Sequence, residues 1–291
     1  MWTLGYFCSA GGTMLDVMRV VEQFCRGKRP DQSLNEDGLV VTSDFAAVVD
    51  GVTSKSVRHL WRPSGGVVAK DLLTAVVAAL PANADMRRVQ RIFDGWIRRE
   101  YEDLPEEDRR IVEREPWERL QANAVVYSAR RHEAWLFGDC QIMVNGVQTP
   151  TVKRVDALLG ELRSYAMHAI MLRDGSAQYD GDTDPSRELI KPFLRLQTMY
   201  ENRRGEYGYF VFDGFTDMEY PIRVVPVQPG DEVVLASDGY PLLRGTLAES
   251  ERELERLRRD DPMLIDEYRT TKGFTPDLES FDDRAYLRFI A

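Results

Sequence analysis

The sequence predicts an α+β fold, a central antiparallel β-sandwich flanked by helices on both faces. Three observations lead there. Runs of β-branched and aromatic residues follow one another with only short polar or glycine-containing stretches between them, as in Asn123 to Ala129, Glu133 to Phe137 and Gln141 to Asn145. That is the pattern of hairpin-linked strands. Longer segments with apolar residues at helical spacing lie between such groups. Strands and helices therefore come in blocks, which favours layered packing over a strict parallel βαβ succession.

The elements follow in order. Thr3 to Cys8 reads as a first strand, and Gly12 to Arg26, with Met14, Val17, Val21 and Phe24 at helical spacing, as a helix packed into the core. Leu39 to Val49 is a long β-branched run, followed by helical periodicity over Gly65 to Leu80 and Met86 to Tyr101. In the hairpin block, Arg130-Arg131-His132 supplies a polar turn and Gly138-Asp139 the next break. Val155 to Arg173 and Ser186 to Asn202 are helical, while Tyr207 to Phe212, Ile222 to Val227 and Glu232 to Ala236 are strand-like. Pro229-Gly230-Asp231 turns between the last two. Thr246 to Arg259 opens on a capping box, Thr246 with Glu249, and carries an i,i+4 Glu255–Arg259 pair. A short helix over Pro262 to Thr270 and a strand over Ala285 to Ile290 complete the chain.

Composition narrows the functional classes. With 291 residues, 43% hydrophobic and 30% charged, the chain has enough apolar material for a sizeable core, which argues against disordered, collagen-like or coiled-coil architectures. No repeat or low-complexity linker divides it, so residues 1–291 are expected to form one domain. A formal net charge of −10 disfavours general attraction to nucleic acid or anionic membranes. Cys8, Cys25 and Cys140 match no zinc spacing and read as reduced thiols. No signal peptide is evident and the most apolar window, Val67 to Leu80, is interrupted by Lys70 and Asp71, so a cytoplasmic location is expected.

The chemistry is carried by acids. Four segments place carboxylates at or near the end of an apolar run: Asn35-Glu36-Asp37-Gly38, Val48-Val49-Asp50-Gly51, Leu235-Ala236-Ser237-Asp238-Gly239 and Ser280-Phe281-Asp282-Asp283. Carboxylates at the ends of buried strands require hydrogen bonds, partner charges or metal. Glu36, Asp50, Asp238 and Asp282 supply the hard oxygen donors and negative charge that a pair of Mg²⁺ or Mn²⁺ ions needs, and the Gly51 carbonyl can approach such an ion unobstructed. His59, His132 and His168 are isolated, which disfavours zinc.

In order and context these segments resemble the motifs of the protein phosphatase 2C family of metal-dependent serine/threonine phosphatases, with the chain looking like a divergent bacterial-type member. Phe45 to Gly51 resembles the family's Asp-Gly strand, Leu136-Phe137-Gly138-Asp139-Cys140 its Gly-Asp hairpin, and Gly230 to Gly239 its Ser-Asp-Gly segment. The resemblance implies a four-layer αββα sandwich with two Mn²⁺ or Mg²⁺ ions at one end. On this resemblance Asp50 would bridge the ions, Asp238 and Asp282 would complete one site, and Glu36 with the Gly51 carbonyl the other. Asp37 orients the attacking water, and Asp139 matches the ligand of an additional ion, although the usual acid after Ser-Asp-Gly is Leu242.

The family's phosphate-binding Arg, four residues before the first motif's Glu, is Gln32 in this chain. Arg29 and Lys55 are the replacement candidates, with Arg26 and Lys28 beside the former. The stretch at about 147–221 corresponds to a variable helical insertion. Its Arg195, Tyr200, Arg203, Arg204, Tyr207 and Tyr209 are candidates for a substrate-recognition flap. The expected function is hydrolysis of phosphoserine or phosphothreonine in a phosphoprotein partner, by water activated between two metals. A noncatalytic phosphatase-like regulatory module and a hydrolase of small phosphorylated metabolites are the alternatives.

Overall fold

A computed structural model describes residues 18–176 and 183–291. The expected strand Thr3 to Cys8 lies outside the described residues, as does Cys8. Two antiparallel sheets form the centre. The first runs in the order β2 (Asp37–Val41), β3 (Phe45–Gly51), β4 (Ala122–Ser128), β5 (Glu133–Phe137) and β8 (Arg223–Pro226). The second runs β1 (Arg19–Arg26), β10 (Arg284–Ile290), β9 (Glu232–Ala236), β6 (Gln141–Val144) and β7 (Val147–Thr149).

Alternation along each strand decides the layering. In β3, Ala46 and Val48 face the opposite sheet while Phe45, Ala47 and Val49 join the outer cluster. The same split recurs in β4, where Val125 and Tyr127 point inward and Ala124 and Val126 outward. From the second sheet, Val233, Leu235, Leu287 and Phe289 fill the interior, and the Tyr127 and Phe289 rings meet there at 4.9 Å. Helices α1 (Gly65–Ala78), α2 (Met86–Glu102) and α3 (Glu106–Arg114) cover the outer face of the first sheet through Leu73, Val77, Phe93, Ile97 and Val112. Val234, Ala236 and Tyr286 form the outer face of the second sheet, where Leu243 and the start of α6 (Leu247–Asp260) pack. Helices α4 (Arg154–Asp174) and α5 (Pro185–Leu196) pack on each other through Val155, Leu159, Ile190 and Leu194. No helix among the described residues is long and apolar enough to cross a membrane.

The structure corrects several expectations. Within Gly12 to Arg26, the described part is strand β1, not a helix: its backbone pairs with β10 from Arg19↔Ile290 to Arg26↔Arg284, and Arg288 reaches Glu22 at 3.0 Å. The run Leu39 to Val49 is split by a turn at Thr42, whose hydroxyl accepts from the N–H groups of Asp44 and Phe45. Tyr207 to Phe212 forms only isolated bridges, Glu201↔Tyr209 and Ala122↔Phe212, and the helix expected to reach Asn202 ends at Leu196 with a 3-10 turn over Gln197–Tyr200. The Thr246 cap is present, but Arg259 pairs with Asp260 instead of Glu255.

Pro262 to Thr270 is not helical, and the reason is visible. The Asp261 carboxylate accepts from the backbone N–H groups of Ile265, Asp266, Glu267 and Tyr268. The fully buried Arg163 donates to the carbonyls of Met263, Leu264 and Thr270. Side chains thus satisfy the backbone groups that a helix would otherwise pair internally.

Candidate active site

Antiparallel pairing brings the predicted acids to one end of the sandwich. Asp37 opens β2 directly opposite Asp50 near the end of β3, Asp139 precedes β6, Asp238 follows β9, and Asp282 and Asp283 precede β10. A close backbone approach holds the first of these segments. The Gly51 N–H donates to the Glu36 carbonyl at 2.8 Å, and a Cβ on Gly51 would run into the Gly66 backbone. A Cβ on Gly66 would stand 2.6 Å from Glu36 Oε1, so α1 can start against this loop only with glycine at both positions.

The acids fall into two groups. Glu36 is satisfied within the protein: Oε1 accepts from Ser64 Oγ at 2.8 Å, and Oε2 accepts from Thr53 Oγ1 at 3.0 Å and from Lys28 Nζ at 3.5 Å. Asp282 is paired twice, through Oδ1 with Lys28 Nζ at 3.0 Å and through Oδ2 with Lys272. Burial pushes its carboxyl up, but the Lys272 and Lys28 ammonium groups outweigh that and hold it well below the ordinary range. Asp283 ties the segments together, accepting from the Lys28 N–H at 2.6 Å, the Glu36 N–H at 3.0 Å and Lys28 Nζ at 3.3 Å. Asp139 pairs with Lys153 at 2.7 Å.

Asp37, Asp50 and Asp238 form no ion pair with the described residues. Desolvation raises Asp37 and Asp50, reinforced at Asp50 by Asp238 and Asp37; the more exposed Asp238 is raised as well, by desolvation, Asp282 and Asp139, with Lys272 and Lys153 acting against it. A Ser237 hydrogen bond partly offsets the effect at Asp37, whose buried Oδ2 has no hydrogen-bond partner.

Asp50, Asp139, Asp238 and Asp282 line a cavity of about 540 Å³. Its other wall is basic. Lys55 enters from the loop after β3, Lys153 precedes α4, and Arg187 lies in the first turn of α5. Burial lowers the Lys55 ammonium to about 8, with Lys153 and Arg187 repelling it further; Arg269 and Lys272 also reach the same space. Of the sequence candidates for phosphate contact, Lys55 lines the cavity, whereas Arg29 is exposed and outside its lining. Arg29 fails because its neighbour Lys28 turns inward and Arg26 pairs outward with Glu279. Tyr209 is the one member of the expected flap set in the lining; Arg204 instead pairs with Asp217. Sequence reading missed Arg187 and Lys272, because each lies in a segment matching no motif and is brought in only by tertiary packing.

No protein-family model and no curated protein matches this sequence. Solved structures do. Serine/threonine phosphatase Stp1 from Staphylococcus aureus is 13% identical over 99% of each chain, with a TM-score of 0.49. The catalytic domain of serine/threonine phosphatase PstP, solved with two manganese ions, is 15% identical over 93% of this chain and 98% of its own, TM-score 0.43. PppA, a regulatory component of the type VI secretion system (T6SS) in Pseudomonas aeruginosa, is 14% identical over 94% and 98%, TM-score 0.46. These neighbours are PPM-family phosphatases. At this distance the likeness concerns the fold, and residue roles rest on the site itself.

The donor set is suited to a hard divalent cation. Asp50 and Asp238 present carboxylates outside any ion pair to the cavity, and Asp37, with an orphaned buried oxygen, lies close enough to Asp50 for mutual repulsion. Among the described residues no three acids, histidines or cysteines converge as a ligand set as they stand. The acids left without an ion pair, Asp50 and Asp238, are the donors available to an ion, whose remaining positions water would have to fill. The residues do not fit a second ion at Glu36, whose oxygens are already taken by Ser64, Thr53 and Lys28.

Glu201 closes the far side of the cavity. It accepts from Gln121 Nε2 at 2.8 Å and from the Tyr209 hydroxyl at 3.2 Å, and burial, then Asp213, raises it to about 8. Its folded value exceeds the ordinary 4.5, so the protonated form favours the fold. That contribution is full below pH 4.5 and is lost as pH rises toward 8. Glu201→Gln is expected to flatten this dependence, with an unfolding midpoint above that of the parent at pH 8 and little changed at pH 4.5; thermal scans at both pH values check it.

Proposed function

We propose that the chain is a metal-dependent phosphomonoester hydrolase acting on phosphoserine or phosphothreonine in proteins, in the cytoplasm. One observation carries the reading: Asp50 and Asp238, neither in an ion pair, share one cavity with the cationic Lys55 and Arg187. A divalent ion at the acids would supply Lewis acidity, lowering the pKa of a coordinated water and screening phosphate charge. The chain's own residues do the rest. Lys55 and Arg187 receive phosphate oxygens and fix the ester in the cavity. Asp37, buried opposite Asp50 at the start of β2 and outside the cavity lining, acts on Asp50 through its charge and does not reach the water directly, which corrects its expected role. Lys153 is neutralised by Asp139 and Asp156 at 2.7 and 3.2 Å and serves to place the Asp139 carboxylate.

The test is hydrolysis of p-nitrophenyl phosphate and a phosphothreonine peptide by metal-stripped protein titrated with Mn²⁺ or Mg²⁺, with folded Asp238→Asn as control. Metal-dependent turnover lost in that variant supports the reading; its absence in the parent defeats it. Lys55→Ala and Arg187→Ala are each expected to raise KM by roughly tenfold with a smaller change in kcat, the mark of lost ground-state phosphate contacts. The KM of the parent should also rise above pH 8, where Lys55 loses its charge.

A noncatalytic regulatory module is the second reading. Asp282, expected to bind metal, has both oxygens on lysines, which favours it. Two-arm hydrolysis distinguishes the remaining possibilities: turnover of small phosphorylated metabolites without turnover of the peptide would reassign the substrate, and turnover of neither would favour the module.

A further inference from the structure

We infer that the Lys28 ammonium takes the place of one of the two divalent ions expected in the acidic cluster, so that the chain binds a single divalent ion at Asp50 and Asp238. The inference rests on the phosphatase reading for the position of that ion; the displacement itself is read from Lys28. Its Nζ lies 3.5 Å from Glu36 Oε2 and 3.0 Å from Asp282 Oδ1. Those carboxylates belong to the two different ion sites that the sequence suggested, and one ammonium joins them.

The placement is built into the fold. Lys28 is only 6% exposed, and its backbone N–H is fixed by Asp283 Oδ1 at 2.6 Å. Asp283 Oδ2 receives both Lys28 Nζ and the Glu36 N–H, so the same carboxylate positions the cation and the loop carrying its partner. The oxygens of Glu36 are then filled by Ser64, Thr53 and Lys28, and those of Asp282 by Lys28 and Lys272. Entry of a second ion there would require expelling a buried ammonium from three carboxylates, which leaves a charge without its partners. At Asp50 and Asp238 no ammonium forms an ion pair, although Lys272 and Lys153 act on Asp238 from a distance.

Calorimetric titration of the metal-stripped full chain with Mn²⁺ alone, with the loss of free Mn²⁺ signal followed by electron paramagnetic resonance, tests this. One Mn²⁺ per chain is expected for the parent and for Lys28→Arg, and two for Lys28→Met. The unfolding midpoint of metal-free Lys28→Met is expected to fall by roughly 5 °C and to recover on adding Mn²⁺. Two Mn²⁺ per parent chain would overturn the inference while leaving the phosphatase reading standing. One Mn²⁺ in folded Lys28→Met would likewise overturn it, because the lysine would not be what excludes the second ion. No Mn²⁺ bound by the parent would overturn both readings. Should Lys28→Met not fold, the parent stoichiometry decides alone.

Discussion

Asp50→Asn is expected to abolish metal-dependent hydrolysis and, in the metal-free protein, to raise the midpoint of thermal unfolding. Both effects come from one carboxylate. Asp50 is raised by desolvation and by Asp238, Asp37 and Asp139, with no cation paired to it. Its folded pKa lies above the ordinary 3.8, so the ionised form opposes folding: the cost is absent below that value and grows as pH rises through the folded pKa. Asparagine keeps the shape and removes the charge. At pH 8 a gain of roughly 2–4 °C is the expected scale for relieving about 1 kcal/mol in a chain of this size. The same change removes a ligand oxygen with its charge, and a loss of at least about 100-fold in Mn²⁺-dependent turnover is expected. Added Mn²⁺ should reverse the order, stabilising the parent more than the variant. Paired thermal scans with and without Mn²⁺ measure this, and a variant less stable than the parent without metal would show that Asp50 makes structural contacts beyond its charge.

Gly51→Ala is expected to have the largest effect on stability. The added methyl would lie 2.6 Å from the Gly66 carbonyl carbon and 2.9 Å from the Glu36 carbonyl oxygen, both of them backbone. No side-chain rotation can relieve such contacts, so α1 or the β3 end must move. A loss of about 3 kcal/mol or more is expected, seen as a lower denaturant midpoint. The displacement would also move the end of β3 that carries Asp50, so metal binding should weaken even in whatever fraction remains folded. An unchanged midpoint would mean that α1 does not start against this loop.

Much of the sandwich was legible because period-two alternation and turn residues act locally: Gly138, at φ 102°, and the Pro229 to Asp231 turn fall where the sequence placed breaks. Strand β1 was not legible. It lies at the sheet edge and is mostly exposed, so its apolar residues show no strand period, and its partner β10 lies over 250 residues away. The loop after Asp261 was misread for a similar reason, since Arg163 and Asp184, which hold it, sit in the distant helical insertion. α3 was missed because only Val112 of it is buried. At the site, the positions of the acids followed from strand ends, but their charge states did not. Lys28 and Lys272 set that of Asp282, and burial with neighbouring carboxylates those of Asp37 and Asp50; sequence spacing carries no record of which cation reaches which carboxylate.

The placement of β10 has a consequence for the order in which the molecule can be assembled. Strands β2 to β5 and β8 pair among themselves using residues 37–226. Strand β1 pairs only with β10, and β10 separates it from β9. During synthesis, β1 emerges first among the described strands and stays without a partner until residues 284–290 arrive. The carboxylate that fixes Lys28 and the Glu36 loop, Asp283, arrives with them. The first sheet, with Asp37 already opposite Asp50, can thus form before Asp282 and Asp283 complete the acidic cluster. The Lys28 ammonium, carried just beyond β1, meets Asp282 and Asp283 only at that closing step, so the two ends of the chain seal the cluster together.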